Sequence, residues 1–333
     1  MDGILDLAVT NLTSPMILSF ALGLAAALAR SDLSVPEAAA KALSLYLLFA
    51  IGYKGGVAVA EHGGGGDLAL AMAAGVGLSF ALPLAAFALL GVLTRLDPTD
   101  RAAVAAHYGS ISIVTFVTGT AVLESAGIAA EGYMVAVAAA MEAPAIVSAL
   151  WLATRGGGAN GAANRAAGAP DAALWREILL NGSIVLLVGS FLIGVATGPA
   201  GMADLSPFVV APFKGVLCLF LLDMGLVAGR GLRASRGVLS AGLVAFGVLM
   251  PLVGAAAGLA AGLGLGLGTG GVALFMVLAA SASYIAVPAA MRVALPEANP
   301  AIYVTLSLGV TFPFNLAIGI PVYMTMAGLL TGG

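Results

Sequence analysis

Charge is scarce in this chain: of 333 residues, 13 are Lys or Arg and 16 are Asp or Glu, together 9%. A soluble domain carries about 25% charged residues, so this supply excludes an ordinary soluble fold. The net charge of −3 is small and scattered, which excludes an electrostatic nucleic-acid surface. Cys218 is the only cysteine, so neither an intrachain disulfide nor a multi-cysteine metal cluster can form. His62 and His107 are the only histidines and no His-Glu-x-x-His occurs, leaving metal catalysis without its ligands. Gly-x-Ser-x-Gly is also absent, which argues against nucleophilic catalysis. Neither Gly-rich stretch, 63–66 or 262–271, is followed by Gly-Lys-Ser or Gly-Lys-Thr, so both read as loops and close helix packing rather than phosphate cradles. No enzyme activity is expected.

What fills the chain is apolar: 61% of residues, with a mean hydropathy of +1.10. A bilayer-crossing helix needs about 20 mostly apolar residues. Ten such segments are predicted, at 14–30, 38–60, 68–93, 101–124, 132–153, 174–197, 207–229, 238–262, 271–295 and 301–330. The expectation is an all-α polytopic membrane protein embedded in a lipid bilayer. No Lys or Arg precedes Arg30, so the first segment is expected to stay as a helix rather than be removed as a signal peptide. With ten spans, the loops after odd-numbered helices share one face. That face receives eleven of the 13 basic residues, from Arg30 and Lys41 to Arg236 and Arg292; Lys54 and Lys214 are the exceptions. The positive-inside rule then places both termini outside and the central loop in the cytoplasm.

That loop is Gly/Ala-rich and has no apolar periodicity, so it reads as a flexible linker. The predicted organisation is a first five-helix repeat at 1–153, a cytoplasmic linker at 154–173 and a second repeat at 174–333. Matching residues support two related halves: Phe20 and Gly23 match Phe191 and Gly194, Asp32 matches Asp204, Lys41 matches Lys214, and Pro144 matches Pro313. Five is an odd number of spans, so the second half enters from the opposite side and the repeat is inverted.

The most informative match is Gly109-Ser110-Ile111-Ser112 with Ala280-Ser281-Ala282-Ser283, 171 positions apart (281 minus 110). At about 1.5 Å per residue, Ser110 lies roughly 13 Å and Ser281 roughly 15 Å into the membrane from opposite sides, both near the midplane. Gly and Ser weaken a helix there, so helices 4 and 9 are predicted to break. New half-helices would start at the serines, with Ser as N-cap. Inversion aims both N-termini at the centre, and each carries about half a positive charge. The ordinary alternative is that these serines are small packing residues bonded to their own helices. The paired, symmetric placement favours a polar site for a small anion in a transporter built from two halves.

Carboxylates at membrane depth cost at least about 2.5 kcal/mol. Glu142 lies on helix 5 beside Pro144, and Asp223 lies on helix 7. Thr311, Pro313 and Asn315 occupy the stretch of helix 10 that matches Glu142 and Pro144, and Thr115 follows the first serine motif. Glu142, Asp223, Thr115, Thr311 and Asn315 together offer the oxygen ligands a hard cation such as sodium requires. A protonated acid in a helix contact, or an ion pair of Asp223 with Lys214, would explain the acids otherwise. Lys54 is expected to snorkel to the outer surface, and His107 to be a packed core residue.

Three runs carry a resemblance to a known family: Lys41 to Gly56, which includes Gly52-Tyr53-Lys54-Gly55-Gly56; Gly109 to Phe116; and Ala280 to Ala286. Nearly end to end, the chain resembles the sodium-dependent bicarbonate transporter family. The resemblance implies ten helices in a five-plus-five inverted repeat with gate and core domains, a homotrimer, and sodium-coupled bicarbonate uptake across the inner membrane. It also implies regulation by a small PII-like protein from the cytoplasm. Bicarbonate is a small planar monoanion with one proton to donate. Gly109, Ser110, Ile111, Ser112, Ala280, Ser281, Ala282 and Ser283 would cradle it with N–H groups and hydroxyls, beside a bound sodium ion. A sodium/organic-anion symporter of the bile-acid type and a non-transporting membrane anion sensor remain the alternatives.

Overall fold

A computed structural model describes residues 13–62, 65–142, 144–156, 180, 182–234, 239–285, 287–288, 290–291 and 295–332. Most of the predicted linker at 154–173 lies outside the described residues. In chain order the helices are α1 (Pro15–Leu28), α2 (Glu37–His62), α3 (Gly65–Leu93), α4 (Pro98–Gly109), α5 (Ile113–Ser125), α6 (Met134–Ala140) and α7 (Pro144–Gly156). They continue with α8 (Gly182–Val209), α9 (Phe213–Ala234), α10 (Ala241–Gly264), α11 (Thr269–Ala280), α12 (Pro300–Leu306), α13 (Phe312–Phe314) and α14 (Ile320–Thr331). Among the described residues there is no strand.

Local sequence fixes where many helices begin. Ser14 caps α1 by accepting from the Ile17 N–H, with Pro15 in the first turn. Asp97 caps α4 by accepting from the N–H groups of Thr99 and Asp100, ahead of Pro98. Ser240 and Asn299 do the same for α10 and α12. These side chains satisfy N–H groups that a helix start leaves without partners. α8 bends at Gly198, whose φ of 56° requires glycine, so its first part ends where the sixth predicted segment does.

Eight stretches among the described residues are long and apolar enough to cross a membrane. Two shorter apolar helices, α1 and α11, stand where the first and ninth segments were predicted. α11 is only 12 residues long because the chain unwinds at Ser281. The fourth segment is likewise two pieces, α4 and α5. The fifth, expected as one helix, is interrupted by a turn at Met141 and Glu142 before Pro144, where proline's missing N–H leaves the ladder incomplete. The tenth changes to π-helix at Ser307–Thr311 and Asn315–Gly319, on either side of Pro313.

Two helix pairs, α1 with α9 and α2 with α8, form one part of the bundle. α3 packs on α4 and α7, α10 packs on α11, and α11 packs on α14, forming the other. Within the stretch from Pro98 to Ser125, 94% of the most apolar window is buried, against 28% for α3, so α4 and α5 are interior helices. One apolar cluster surrounds α5 and α11, and a second surrounds α4 and α12. The unwound segments lie where the two clusters meet.

The two pairs use glycine in the same way. A Cβ on Gly23 would sit 2.0 Å from the Leu222 carbonyl oxygen, and one on Gly225 would sit 2.2 Å from that of Phe20. In the other pair, a Cβ on Gly194 would meet the Tyr53 oxygen at 2.3 Å and one on Gly56 the Phe191 oxygen at 1.9 Å. Backbone thus touches backbone, the close approach that small residues permit between membrane helices. Gly56→Ala is expected to cost about 1–3 kcal/mol by overpacking. Gly77→Ala, where nothing lies within 4 Å, should cost nothing. Thermal unfolding in detergent checks the contrast.

Candidate functional site

The chain leaves α4 at Ser110 in an extended conformation (φ −91°, ψ 157°) and leaves α11 at Ser281 in nearly the same one (φ −81°, ψ 162°). The two extended segments lie side by side and satisfy each other. The Ser112 N–H donates to the Ser281 hydroxyl at 2.8 Å, and the Ser283 N–H donates to the His107 carbonyl at 2.8 Å. The Ser281 hydroxyl donates its own proton to the Leu278 carbonyl. Ser112 caps α5 by accepting from the Thr115 N–H. In the second segment helical residues resume at Val287, whose N–H reaches the Ser283 hydroxyl at 3.4 Å.

Glu142 joins this centre from the turn between α6 and α7. It is 4% exposed and accepts from the Ser110 hydroxyl at 2.8 Å. The Ser79 hydroxyl on α3 donates to the Met141 carbonyl, satisfying backbone that the turn would otherwise leave bare. A narrow cleft of about 10 Å³, room for about one water-sized group, is lined by Ser44 and Leu48 of α2, Ile111 to Ile113, Glu142, and Ser283 to Ile285. The Tyr284 hydroxyl is buried there, beside Ser112, without a hydrogen-bond partner of standard geometry.

The structure therefore brings Ser110, Ser112, Ser281, Ser283 and Glu142 together, with Gly109, Ile111, Ala280 and Ala282 as the backbone between them. Thr115 enters through its N–H. Asn315 lies behind: its amide donates to the Ala280 carbonyl at 2.8 Å and its oxygen accepts from the Tyr323 hydroxyl at 2.9 Å. Thr311 donates to the Gly247 carbonyl at 2.7 Å, which leaves the Tyr108 hydroxyl as donor in their 2.6 Å contact. Both residues brace α13 and its flanking turns. Asp223 is buried on α9, but none of the described hydrogen bonds joins it to the serine centre. Lys214 donates to Ser125 instead of pairing with Asp223. His107 is a packed core residue, stacked on Tyr303 at 4.5 Å between ring centroids. Lys54, expected to snorkel to water, instead forms an ion pair with Glu124.

Ser44, Leu48, Ile113, Tyr284 and Ile285 are the cleft residues that reasoning from sequence did not assign, and of these Tyr284 and Ser44 carry hydroxyls. Tyr284 follows directly on the second serine motif, so its place was available to be read. Ser44 comes from the other part of the bundle, and no local pattern points to it.

Chemically, the centre offers hydroxyls, the first-turn N–H groups of α5, the partial positive charge of that helix start and one carboxylate. Among the described residues no three His, Cys, Asp or Glu side chains cluster. The centre's N–H and O–H groups can donate to a small anion, and its oxygens suit a hard, oxygen-seeking cation. Fold and centre together define a multi-pass membrane protein of the transporter class. A family model described as the Na+-dependent bicarbonate transporter superfamily matches residues 15–328, and the chain belongs to that family, a family of transporters and not of enzymes. No curated protein matches the chain.

Asn315→Ala would leave the buried Ala280 carbonyl and Tyr323 hydroxyl unpaired. A loss of about 1–3 kcal/mol is expected, measurable as a lower unfolding temperature in detergent. Ser19→Ala removes an exposed bond to the same helix and should change little.

Proposed function

We propose that this protein carries bicarbonate inward across the inner membrane by symport with sodium, the shared site forming where the narrow cleft between the two unwound segments widens to admit them. The observation that carries the reading is the convergence of the α5 cap, a buried tyrosine hydroxyl without a partner of standard geometry among the described residues, and a buried glutamate in one narrow cleft. A buried hydroxyl without a partner costs about 1–3 kcal/mol, and an arriving oxygen anion would supply the missing acceptor. Ser112 and Ser283, with the N–H groups at the start of α5, receive the anion's oxygens, while Ser110, which donates to Glu142, holds that carboxylate beside them. Glu142 and nearby hydroxyl and carbonyl oxygens hold the sodium ion. Ser281 positions Ser112, while Asn315 and Thr311 brace the backbone around the site. Asp223 is not needed at it.

The same reading takes the ten segments as two inverted five-helix repeats, 1–153 and 174–333, joined by the linker at 154–173. Helix packing supports this. Exchanging first-half and second-half helices turns the α1–α9 pair into the α8–α2 pair, and the α3–α4 packing into that of α10 and α11. The glycine contacts exchange with them. Both termini outside, a homotrimer and a cytoplasmic PII-like regulator complete the proposal and rest on charge placement and family membership.

Uptake of labelled bicarbonate into proteoliposomes is expected to rise with an inward sodium gradient, and uptake indifferent to sodium would refute the coupling. Competition by pyruvate or a bile acid in place of bicarbonate would favour an organic-anion symporter, and binding without flux a sensor. Ser110→Ala and Ser281→Ala are expected to lower uptake at least tenfold in protein that still folds. Tyr284→Phe removes a hydroxyl that has no partner of standard geometry among the described residues. Thermal stability should hold or rise while the KM for bicarbonate increases, and a fall in stability with unchanged KM would remove Tyr284 from the site.

A further inference from the structure

A second cavity, of about 270 Å³, lies along the same two helices as the serine cleft. On α2 the cleft is lined at Ser44 and Leu48 and the cavity at Ile51, Lys54 and Ala58; on α5 the corresponding positions are Ile113 and then Phe116, Thr120 and Glu124. Leu48 to Ile51, and Ile113 to Phe116, are each a rise of about 5 Å. The two spaces are therefore stacked, separated by one layer of side chains. Ile51, Phe116 and Leu274, which line the cavity, are no more than 2% exposed.

Charge at the far end of this cavity is arranged across the two parts of the bundle. Lys54 of α2 pairs with Glu124 of α5, and its ammonium also lies 4.8 Å from the centre of the Phe213 ring. Lys214 of α9 donates to Ser125 of α5 at 2.9 Å. Both lysines belong to the part formed by α1, α2, α8 and α9, and both converge on the last two residues of α5. A helix C-terminus carries partial negative charge, which favours them there.

We propose that this cavity is the shut outer half of the transport route, and that Lys54 is its anion-receiving residue, masked by Glu124 while the route is shut. An arriving monoanion competes with the Glu124 carboxylate for the Lys54 ammonium. Taking its place undoes a tie between the two parts of the bundle, so arrival of cargo and opening of the route are linked. Glu131, whose carboxylate accepts from the Gly268 N–H, also lines the cavity, so among the described residues Lys54 is the one cationic side chain there, set against two carboxylates, and an anion is received at its ammonium rather than drawn by the cavity as a whole. The inference rests on the transport reading above for its cargo and orientation, but its geometry stands apart from that reading.

The test places a reporter cysteine in the cavity, Thr120→Cys, in a Cys218→Ser background, and follows labelling by a membrane-impermeant thiol reagent applied to each side in turn. Glu124→Gln, at a partly exposed position, is expected to speed labelling from the outer side several-fold. Bicarbonate with sodium should do the same in the parent protein. Lys54→Gln should raise the KM for bicarbonate supplied from that side about tenfold, the scale of electrostatic capture. The KM from the opposite side should stay within about twofold, and Lys54→Arg should restore the parent value. Labelling unchanged by Glu124→Gln, or a KM that Lys54→Gln leaves alone or shifts equally from both sides, overturns the proposal. If the parent protein carries no bicarbonate, the transport reading fails, and the labelling response to Glu124→Gln alone decides whether the latch exists.

Discussion

Everything at the centre depends on one requirement: backbone buried away from water must find partners within the protein. Breaking a helix in a membrane interior strips several N–H and C=O groups of theirs, at several kcal/mol for each group left bare. Here two breaks are placed against each other. The Ser281 hydroxyl takes the Ser112 N–H, and the His107 carbonyl takes the Ser283 N–H. Neither unwound segment is satisfied without the other. The pair behaves as one unit, and α4, α5 and α11 are tied together through it. Asn315 extends the same logic by capping the Ala280 carbonyl from the last helix.

A second constraint frames that unit. α1 against α9 and α2 against α8 approach until backbone meets backbone, at Gly23 and Gly225 in one pair and Gly194 and Gly56 in the other. Interfaces of this kind have no long side chains to repack, so each pair is expected to move as a rigid piece. Across the boundary with the other helices the contacts are more mixed: an ion pair, a lysine–serine hydrogen bond, apolar packing that includes the Phe20–Phe312 ring contact, one close approach of Gly55 to the Gly132 carbonyl, and a narrow cleft lined from both sides. The polar and side-chain contacts among these can be exchanged for others at modest cost, whereas the paired glycine-to-backbone contacts within α1–α9 and α2–α8 cannot. Relative motion is therefore most easily accommodated at the boundary where the cleft and the second cavity lie.

Much of this was legible in the sequence. Alternation of Gly or Ala with Ser inside an apolar run announced both breaks, because such residues weaken a helix and cap the next one. Glu142 was legible because a carboxylate at that depth needs a reason. What escaped reading depends on partners distant in sequence. Nothing near Lys54 indicates Glu124, 70 residues away, and the side chain was read as reaching for water. Pro144 signalled irregular backbone, yet an apolar run of ordinary length concealed that the fifth segment divides into α6 and α7. Thr311 and Asn315 were read as cation ligands because oxygen at midplane depth was visible. Their hydrogen bonds to Gly247, Tyr108, Ala280 and Tyr323 were not.

The charge inventory of the cleft bears on why sodium and bicarbonate would travel together. Among the described residues no Lys or Arg lines the cleft, so the positive potential they offer to an anion is the fractional charge of the α5 start and the dipoles of hydroxyls and N–H groups. Glu142, when ionised, opposes the anion in the same small volume. An anion alone would thus meet a like charge with no full positive charge to offset it, and a cation alone would leave the helix start unanswered. With both present, each neutralises what the other lacks. Their occupancy is then cooperative, and a coupling free energy between two sites acts equally in both directions. A fixed arginine in the cleft would bind the anion without needing sodium, and would hold it more tightly when release is required. The modest, distributed charge of the site is what makes coupling and release compatible in the proposed cycle.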